Sequence, residues 1–212
     1  RPELTTMPKN IPIVVLINGG SASASEILAG ALKDTRTAYL VGNNTYGKGS
    51  VQEPRGLPYE DGMKITIAKY YTPSGANIDK IGIPPDEEVN LPGVSQEQQQ
   101  IYVDLMNSNK IYDFANSKEN ITEAEISAFA EELYKDYPLE KTVLRRLIRI
   151  YSITGEIFYD LDYDTQLQRA IEIANSKDFY NLLENTKTLL EIEEEKALEE
   201  AEGDFDKAIE IL

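Results

Sequence analysis

Hydrophobic positions fall into two regimes along this chain of 212 residues. Up to about residue 92 they come in short runs broken by glycine, proline and serine. Ile11–Ile17 (IPIVVLI) is a continuous, β-branched run, the pattern of a strand buried on both faces. Asn18-Gly19-Gly20 ends it. Ser21 to about Asp34 is rich in Ala and Leu and predicts a helix, with Ile27, Leu28, Ala31 and Leu32 on one apolar face. Ala38–Val41 is a second short strand, Gly42–Gly49 a loop with three glycines, and Ser50–Glu53 a strand stopped by Pro54. Leu57–Gly62 is a turn carrying the hairpin signal Asp61-Gly62, and Met63–Tyr71 alternates as a further strand. Strand, glycine turn, helix and strand in succession predict an α/β layer.

Beyond Pro92-Gly93 the spacing becomes helical. Ser95 with Gln98, and Thr122 with Glu125, have the spacing of capping boxes. They open helices to about Ala115 and Lys135. Pro138 can start a third helix, whose apolar face is Leu144, Leu147, Ile148 and Tyr151. Thr165–Ser176, Asp178–Ala201 and a short amphipathic stretch from Phe205 to Leu212 follow. The aromatics at helical spacing (Tyr102, Tyr112, Phe114, Phe129, Tyr134, Tyr151, Phe158, Tyr159, Tyr180) are expected to fill a helical core. A dimer interface or peptide groove is the sharper alternative. The pattern therefore predicts two parts, residues 1–92 and an all-helical 93–212.

Charge sharpens that division. Residues 1–92 hold nine Lys/Arg and ten Asp/Glu, whereas 93–212 hold twelve and twenty-seven. The net charge of −16 speaks against nucleic acid, because phosphate binding needs a basic face. There is no cysteine and no histidine. Disulfides, thiolate nucleophiles, the usual zinc ligands and any Ser-His-Asp triad are thereby removed. A hydrolase here must take its base from Lys, Asp or Glu, or use a carboxylate-held metal. No metal or cofactor site is read. No apolar run reaches the roughly 20 residues of a membrane helix. The abrupt start at Arg1, close to a buried-type strand, reads as a fragment of a longer protein.

Two positions could carry chemistry. Ser23 lies in Ser21-Ala22-Ser23-Ala24-Ser25-Glu26, after a Gly-Gly turn and at a helix start. There its hydroxyl is exposed and unpaired backbone N–H groups point outward, able to stabilise an oxyanion. Serines in such places also serve simply as caps. Lys48 sits in Tyr46-Gly47-Lys48-Gly49, where flanking glycines allow a tight turn. A lysine acts as a base only when neutral, so its pKa must fall well below about 10.4 by burial. A solvated loop lysine is the plain alternative. Residues 42–48 also fit the first seven positions of a P-loop, but Gly49 stands where Ser or Thr would hold magnesium, and a strand-like segment follows. Asp160, Asp162 and Asp164 begin like a calcium loop, which Thr165 and Ile171 at its sixth and twelfth positions break.

Asn18 through Gln52 resembles the signature stretch of the C-terminal processing peptidases, a family that includes the tail-specific proteases of bacteria. Lys69–Gly75 (KYYTPSG) and Gly82–Asp86 (GIPPD) resemble it too, so the likeness covers about residues 10–90. It implies a serine-type endopeptidase acting near protein C-termini, on a partial ClpP/crotonase-like α/β core followed by a helical region. It implies Ser23 as nucleophile and Lys48, 25 residues later, as general base. It further implies that Gln52 orients the lysine, that the Ala24 N–H is an oxyanion donor and that Asp34 is a supporting residue. Family members bind substrate tails with a PDZ domain and complete the oxyanion hole with a glycine-bearing strand, both expected upstream of Arg1. Without that second donor, roughly 2.7–4 kcal/mol of transition-state stabilisation is missing. The chain alone is therefore expected to be weak or inactive.

The resemblance also implies protein or peptide substrates and a site outside the cytoplasm, in the periplasm or cell envelope of a bacterium. A homodimer through the helical region or an exposed sheet edge is a further expectation. The competing reading is a helical binding or scaffold protein with a dormant protease site. Against it stands the presence of Ser23, Lys48 and Gln52 together.

Overall fold

A computed structural model describes residues 10–152, 159–203, 207 and 209. The fold is mixed α/β. It divides into two units, one made of the chain up to Val89 together with the part from Arg169 onward, the other of Asn90–Gln168. The first unit is interrupted after Val89, and the chain returns to it at Arg169.

The first unit is built on a parallel sheet of three strands, β1 (Val14–Ile17), β2 (Tyr39–Gly42) and β5 (Glu87–Glu88), in the order β1-β2-β5. Val14 lies opposite Tyr39 and Ile17 opposite Gly42. Helix α1 (Ala24–Asp34) is the crossover that parallel pairing of β1 and β2 requires. One face of the sheet packs Ile17 and Leu40 against Ala29, Ile83 and Leu189. The other packs Tyr39 and Val41 against Ile173, Phe179 and Leu183. These last residues lie on α6 (Thr165–Ala174) and α7 (Phe179–Glu184), while Leu189 opens α8 (Leu189–Glu200). Burial of those apolar side chains, each of which stabilises by about 1.5–3 kcal/mol, is why the C-terminal helices belong to the sheet unit.

Two expectations change here. Leu16 is 39% exposed, because β1 is paired on one side only among the described residues. On α1 the residues facing inward are Glu26, Ala29, Gly30 and Lys33, while Ile27 and Leu28 are 41% and 60% exposed. The inward face can be polar because each buried charge has partners. Lys33 Nζ meets Asp86 Oδ1 at 2.5 Å, and Asp86 Oδ2 accepts from the Leu40 N–H at 2.8 Å. Gly30 is there for space, since a Cβ would lie 3.0 Å from Thr72 Cγ2 and 3.2 Å from Ile83 Cδ1.

Strands β3 (Ser50–Gly56) and β4 (Gly62–Lys69) form a separate antiparallel hairpin around a short 3-10 turn at Pro58–Glu60. Pro54 does not end β3 but sits opposite Lys64. A two-stranded ribbon has free edges, where a residue lacking an N–H is tolerated. Most hairpin residues are exposed.

The second unit is helical: α2 (Gln99–Asn107), α3 (Lys110–Ala115), α4 (Glu123–Asp136) and α5 (Lys141–Ser152), with the first turn of α6. The helix expected to run to Ala115 breaks at Asn109, which takes a left-handed φ of 57°. The helix expected over Asp178–Ala201 likewise divides before Thr188, whose hydroxyl and Glu191 form a capping box. Phe114 and Phe129 stack at 4.1 Å over a core that includes Leu105, Ile126 and Leu144. Tyr112, Tyr134, Tyr151, Tyr159 and Tyr180 are instead exposed. Phe158 and nearly all of 205–212 lie outside the described residues. The carboxylates of Asp160 and Asp162 pair with the buried Arg149 guanidinium, which also takes Glu123.

Candidate active site

Asn18 turns the chain after β1 by accepting the Gly20 N–H at 2.8 Å. Ser23 is then the N-cap of α1 with φ 58° and ψ −115°. A non-glycine residue in that region is strained by about 1–3 kcal/mol and persists only where its surroundings hold it. A nucleophilic serine on a sharp strand-to-helix turn has this geometry, which lifts its hydroxyl away from the sheet. Ser23 is half-buried. The Ala24 N–H, first of the helix, has no protein acceptor among the described residues, as an anion-binding donor must not.

Lys48 comes from the loop after β2, so both candidate residues sit beyond the carboxyl ends of neighbouring parallel strands, the usual place for a site in such sheets. Its loop is clasped by residues 77–83. Gly47 O accepts from the Lys80 N–H at 2.7 Å, Thr45 N–H donates to Ile83 O at 3.1 Å, and Asn44 Nδ2 donates to Ile81 O at 2.8 Å. Gly47 has φ 87°, and a Cβ on Gly49 would lie 2.5 Å from the Asp79 nitrogen. Both glycines are thus required for the turn. A strand follows rather than a helix, so no P-loop forms.

The residue that brings the two together is Glu26. Its side chain is wholly buried. Oε2 accepts the Ser23 N–H at 2.9 Å and the Lys48 N–H at 2.8 Å; Oε1 accepts the Gly47 N–H and the Thr45 hydroxyl, each at 2.6 Å. Two amides bonded to one oxygen cannot be farther apart than those two lengths combined, so the Ser23 and Lys48 backbones are neighbours. Burial pushes the Glu26 carboxyl up, but the bonds from Thr45, Gly47, Lys48 and Ser23 outweigh it and hold its pKa below the ordinary glutamate value. Between Ser23 and Glu26 the contact is a capping box. Its carboxylate half is a formed hydrogen bond, and its hydroxyl half is a contact without one. The Ser-x-x-Glu spacing could have pointed to this residue. Nothing in the sequence announces the bonds to Gly47 and Lys48, which come from a distant loop.

The Lys48 side chain is exposed. Gln52 lies on β3 opposite Thr66, beside a register irregularity at Val51/Gln52, and is exposed. No hydrogen bond joins its side chain to Lys48 among the described residues. Asp34 stands at the opposite end of α1 from Ser23, about 16 Å away at 1.5 Å per helical residue. Its Oδ2 accepts the Ser74 N–H at 2.9 Å and its Oδ1 the Leu189 N–H at 2.8 Å. Burial raises its pKa, yet the bonds from Leu189, Thr72 and Ser74 leave it below the ordinary aspartate value.

Residues 2–89 match the family model described as peptidase family S41. The carboxy-terminal-processing protease of Bartonella bacilliformis is 57% identical over 81 residues, 38% of this chain and 19% of that protein. That of a Synechocystis species is 54% identical over 84 residues, 40% of this chain and 20% of the other. The carboxy-terminal processing protease CtpA of Bacillus subtilis is 30% identical over 203 residues, 95% of this chain and 38% of that protein. The chain thus spans about a fifth of the first two relatives. No helix among the described residues is long and apolar enough to cross a membrane.

Proposed function

The chain belongs to the C-terminal processing peptidases of peptidase family S41, and from that premise we propose that it carries the serine–lysine site of an endopeptidase that cuts proteins near their C-termini. Ser23 is the nucleophile, Lys48 the general base, Gln52 the residue that orients the lysine and the Ala24 N–H one oxyanion donor. Neutral Lys48 takes the Ser23 proton as Oγ attacks the peptide carbonyl. The tetrahedral intermediate collapses to an acyl-enzyme as protonated Lys48 gives its proton to the leaving amine. Water, deprotonated by Lys48, then attacks the ester and releases Ser23. The observation that carries this reading is the strained φ of Ser23 at a strand–turn–helix junction, with the Lys48 turn bonded to the same buried carboxylate.

Asp34, far along the helix, is read as a structural support. The α/β unit is read as part of a ClpP/crotonase-type core, and the enzyme is read as working outside the cytoplasm, in the periplasm or envelope of a bacterium, which the family likeness supports. The β1 edge that stays unpaired among the described residues and the exposed hairpin fit a core completed by further polypeptide, such as upstream strands and a PDZ domain, or by a second copy. The exposure of Lys48 and Gln52 favours a dormant site in the isolated chain, because a general base has to be enclosed and fixed beside the nucleophile it serves.

The test compares the 212-residue chain, the full-length protein and its Ser23→Ala variant on an unfolded substrate with an apolar C-terminus. The expected result is cleavage by the full-length parent alone. Robust Ser23-dependent turnover by the 212-residue chain would overturn the dormancy. Undiminished cleavage by Ser23→Ala would overturn the assignment of the nucleophile.

A further inference from the structure

We infer that Glu26, completed by Thr45, is a positioning residue for the reaction: its carboxylate locks the nucleophile's turn and the base's turn into one rigid piece. The inference rests on the serine–lysine reading above. Three features carry it. Glu26 has no exposed surface, so water cannot replace a lost partner. Its four bonds run to two separate segments, Ser23 at the start of α1 and Thr45, Gly47 and Lys48 on the loop after β2. Thr45, itself only 5% exposed, gives its hydroxyl proton to Glu26 and accepts the Ile83 N–H at 2.7 Å. The clasping loop is therefore part of the same network.

The other ties across this junction are weaker in kind. Among the described residues one backbone bond, from the Tyr46 N–H to Ser21 O at 3.0 Å, also joins the two segments. It reaches neither Ser23 nor Lys48. Bonds to an ionised acceptor are roughly twice as strong as neutral ones. Glu26 accepts three N–H groups and one hydroxyl, and an amide in its place would set a donor against these donors. The Glu26 carboxylate bonds neither Ser23 Oγ nor Lys48 Nζ. It acts through the backbone of these two residues, fixing the distance over which the Ser23 proton must pass to Lys48. A displacement of about 1 Å at such a distance is enough for a hundredfold loss of rate.

The test uses the full-length protein and reads kcat and KM separately. Glu26→Gln and Thr45→Val are expected to lower kcat about a hundredfold while KM moves less than about threefold. Thr45→Ser, which keeps the hydroxyl, restores most of kcat. Because the two residues act as a unit, the double variant is no worse than the poorer single one. Leu189→Ala, a core truncation at the far end of α1, supplies a destabilised control whose kcat stays near that of the parent. A kcat within twofold of the parent in Glu26→Gln, or a Thr45→Ser no better than Thr45→Val, overturns the inference. Should Ser23→Ala cleave as well as the parent, the serine–lysine reading fails instead. Amide exchange in the 212-residue chain decides the geometry independently of turnover. Glu26→Gln must lose protection at Gly47 and Lys48 while Leu40 and Val41 keep theirs, and unchanged protection at Lys48 overturns the lock.

Discussion

At its N-terminal end α1 carries Glu26, whose carboxylate gathers backbone N–H groups from its own turn and from the loop after β2. At its C-terminal end it carries Asp34, whose carboxylate gathers the N–H groups of Ser74 and Leu189. Both acids are held below their ordinary pKa by such bonds, against the upward push of burial. Their chemistry is alike, but what they tie differs. Glu26 joins the two candidate reacting residues, whereas Asp34 joins the helix to the 72–76 turn and to the start of α8. An acid near a site therefore acquires its role from what its partners carry, and its type alone does not reveal that role.

Between these ends lies Lys33, and it offers the largest test. Asp86→Ala removes the acceptor of a buried ammonium whose side chain is 1% exposed, and also strips the Leu40 N–H of its partner. Breaking a buried pair in this way costs about 3–5 kcal/mol, which urea denaturation of the chain will register as a lower midpoint. Lys33→Met combined with Asp86→Asn removes the charge and keeps an acceptor for Leu40, so the double variant should recover most of the loss. A double variant as unstable as Asp86→Ala would show that the ion pair itself, rather than the stranded charge, holds α1 to β2.

Asp34→Ala comes next. It leaves the N–H groups of Ser74 and Leu189 without their acceptor, at about 1–3 kcal/mol for a buried donor left unpaired. Thermal unfolding measures the loss, and amide exchange at Lys48 should be unaffected because the other end of the helix is intact. Loss of protection at Lys48 in this variant would erase the contrast between the two ends.

That contrast was only partly open to sequence reading. The strand–turn–helix order, the Gly-Lys-Gly turn and the placement of Ser23 at a helix start could be read because each rests on local signals: a β-branched run, a glycine pair, a capping spacing. The inward face of α1 could not. Its periodicity nominates Ile27 and Leu28, which the structure exposes, and hides Glu26 and Lys33, which it buries. Burying a charge depends on partners 22 and 53 residues away, at Lys48 and Asp86, and no local pattern encodes them. The same holds for the helices from Arg169 onward. Their helical character is local, but their return to the sheet is decided by Phe179, Leu183 and Leu189 finding Tyr39, Val41 and Ile83.

The pH dependence separates the ends again. Both carboxyls have folded pKa values below their unfolded ones. Each contributes stability that is present above the unfolded value and is lost as pH falls through the folded one. Stability of the parent should therefore decline on acidification below the ordinary carboxylate range. Asp34→Asn should flatten part of that slope by removing one titrating group. An unchanged slope, followed by urea midpoints across the acidic range, would mean that the Asp34 carboxyl titrates alike in the folded and unfolded chain.

The smallest effect is expected on the outer face of α1. Leu28 is 60% exposed and Ile27 41%, so Leu28→Ser removes little buried apolar area from the isolated chain. Exposed substitutions away from special contacts usually stay within about 0.5 kcal/mol, and serine's lower helix propensity falls within the same range. The same substitution in the full-length protein asks a different question. If further polypeptide covers this face beside Ser23, Leu28 is a core residue there, and its loss costs a few kcal/mol in the manner of other large-to-small core changes. A wide difference between the two backgrounds identifies the outer face of α1 as an interface with that further polypeptide. An equal, small effect in both leaves it as surface, and the apolar periodicity of α1 then has no packing role on that side.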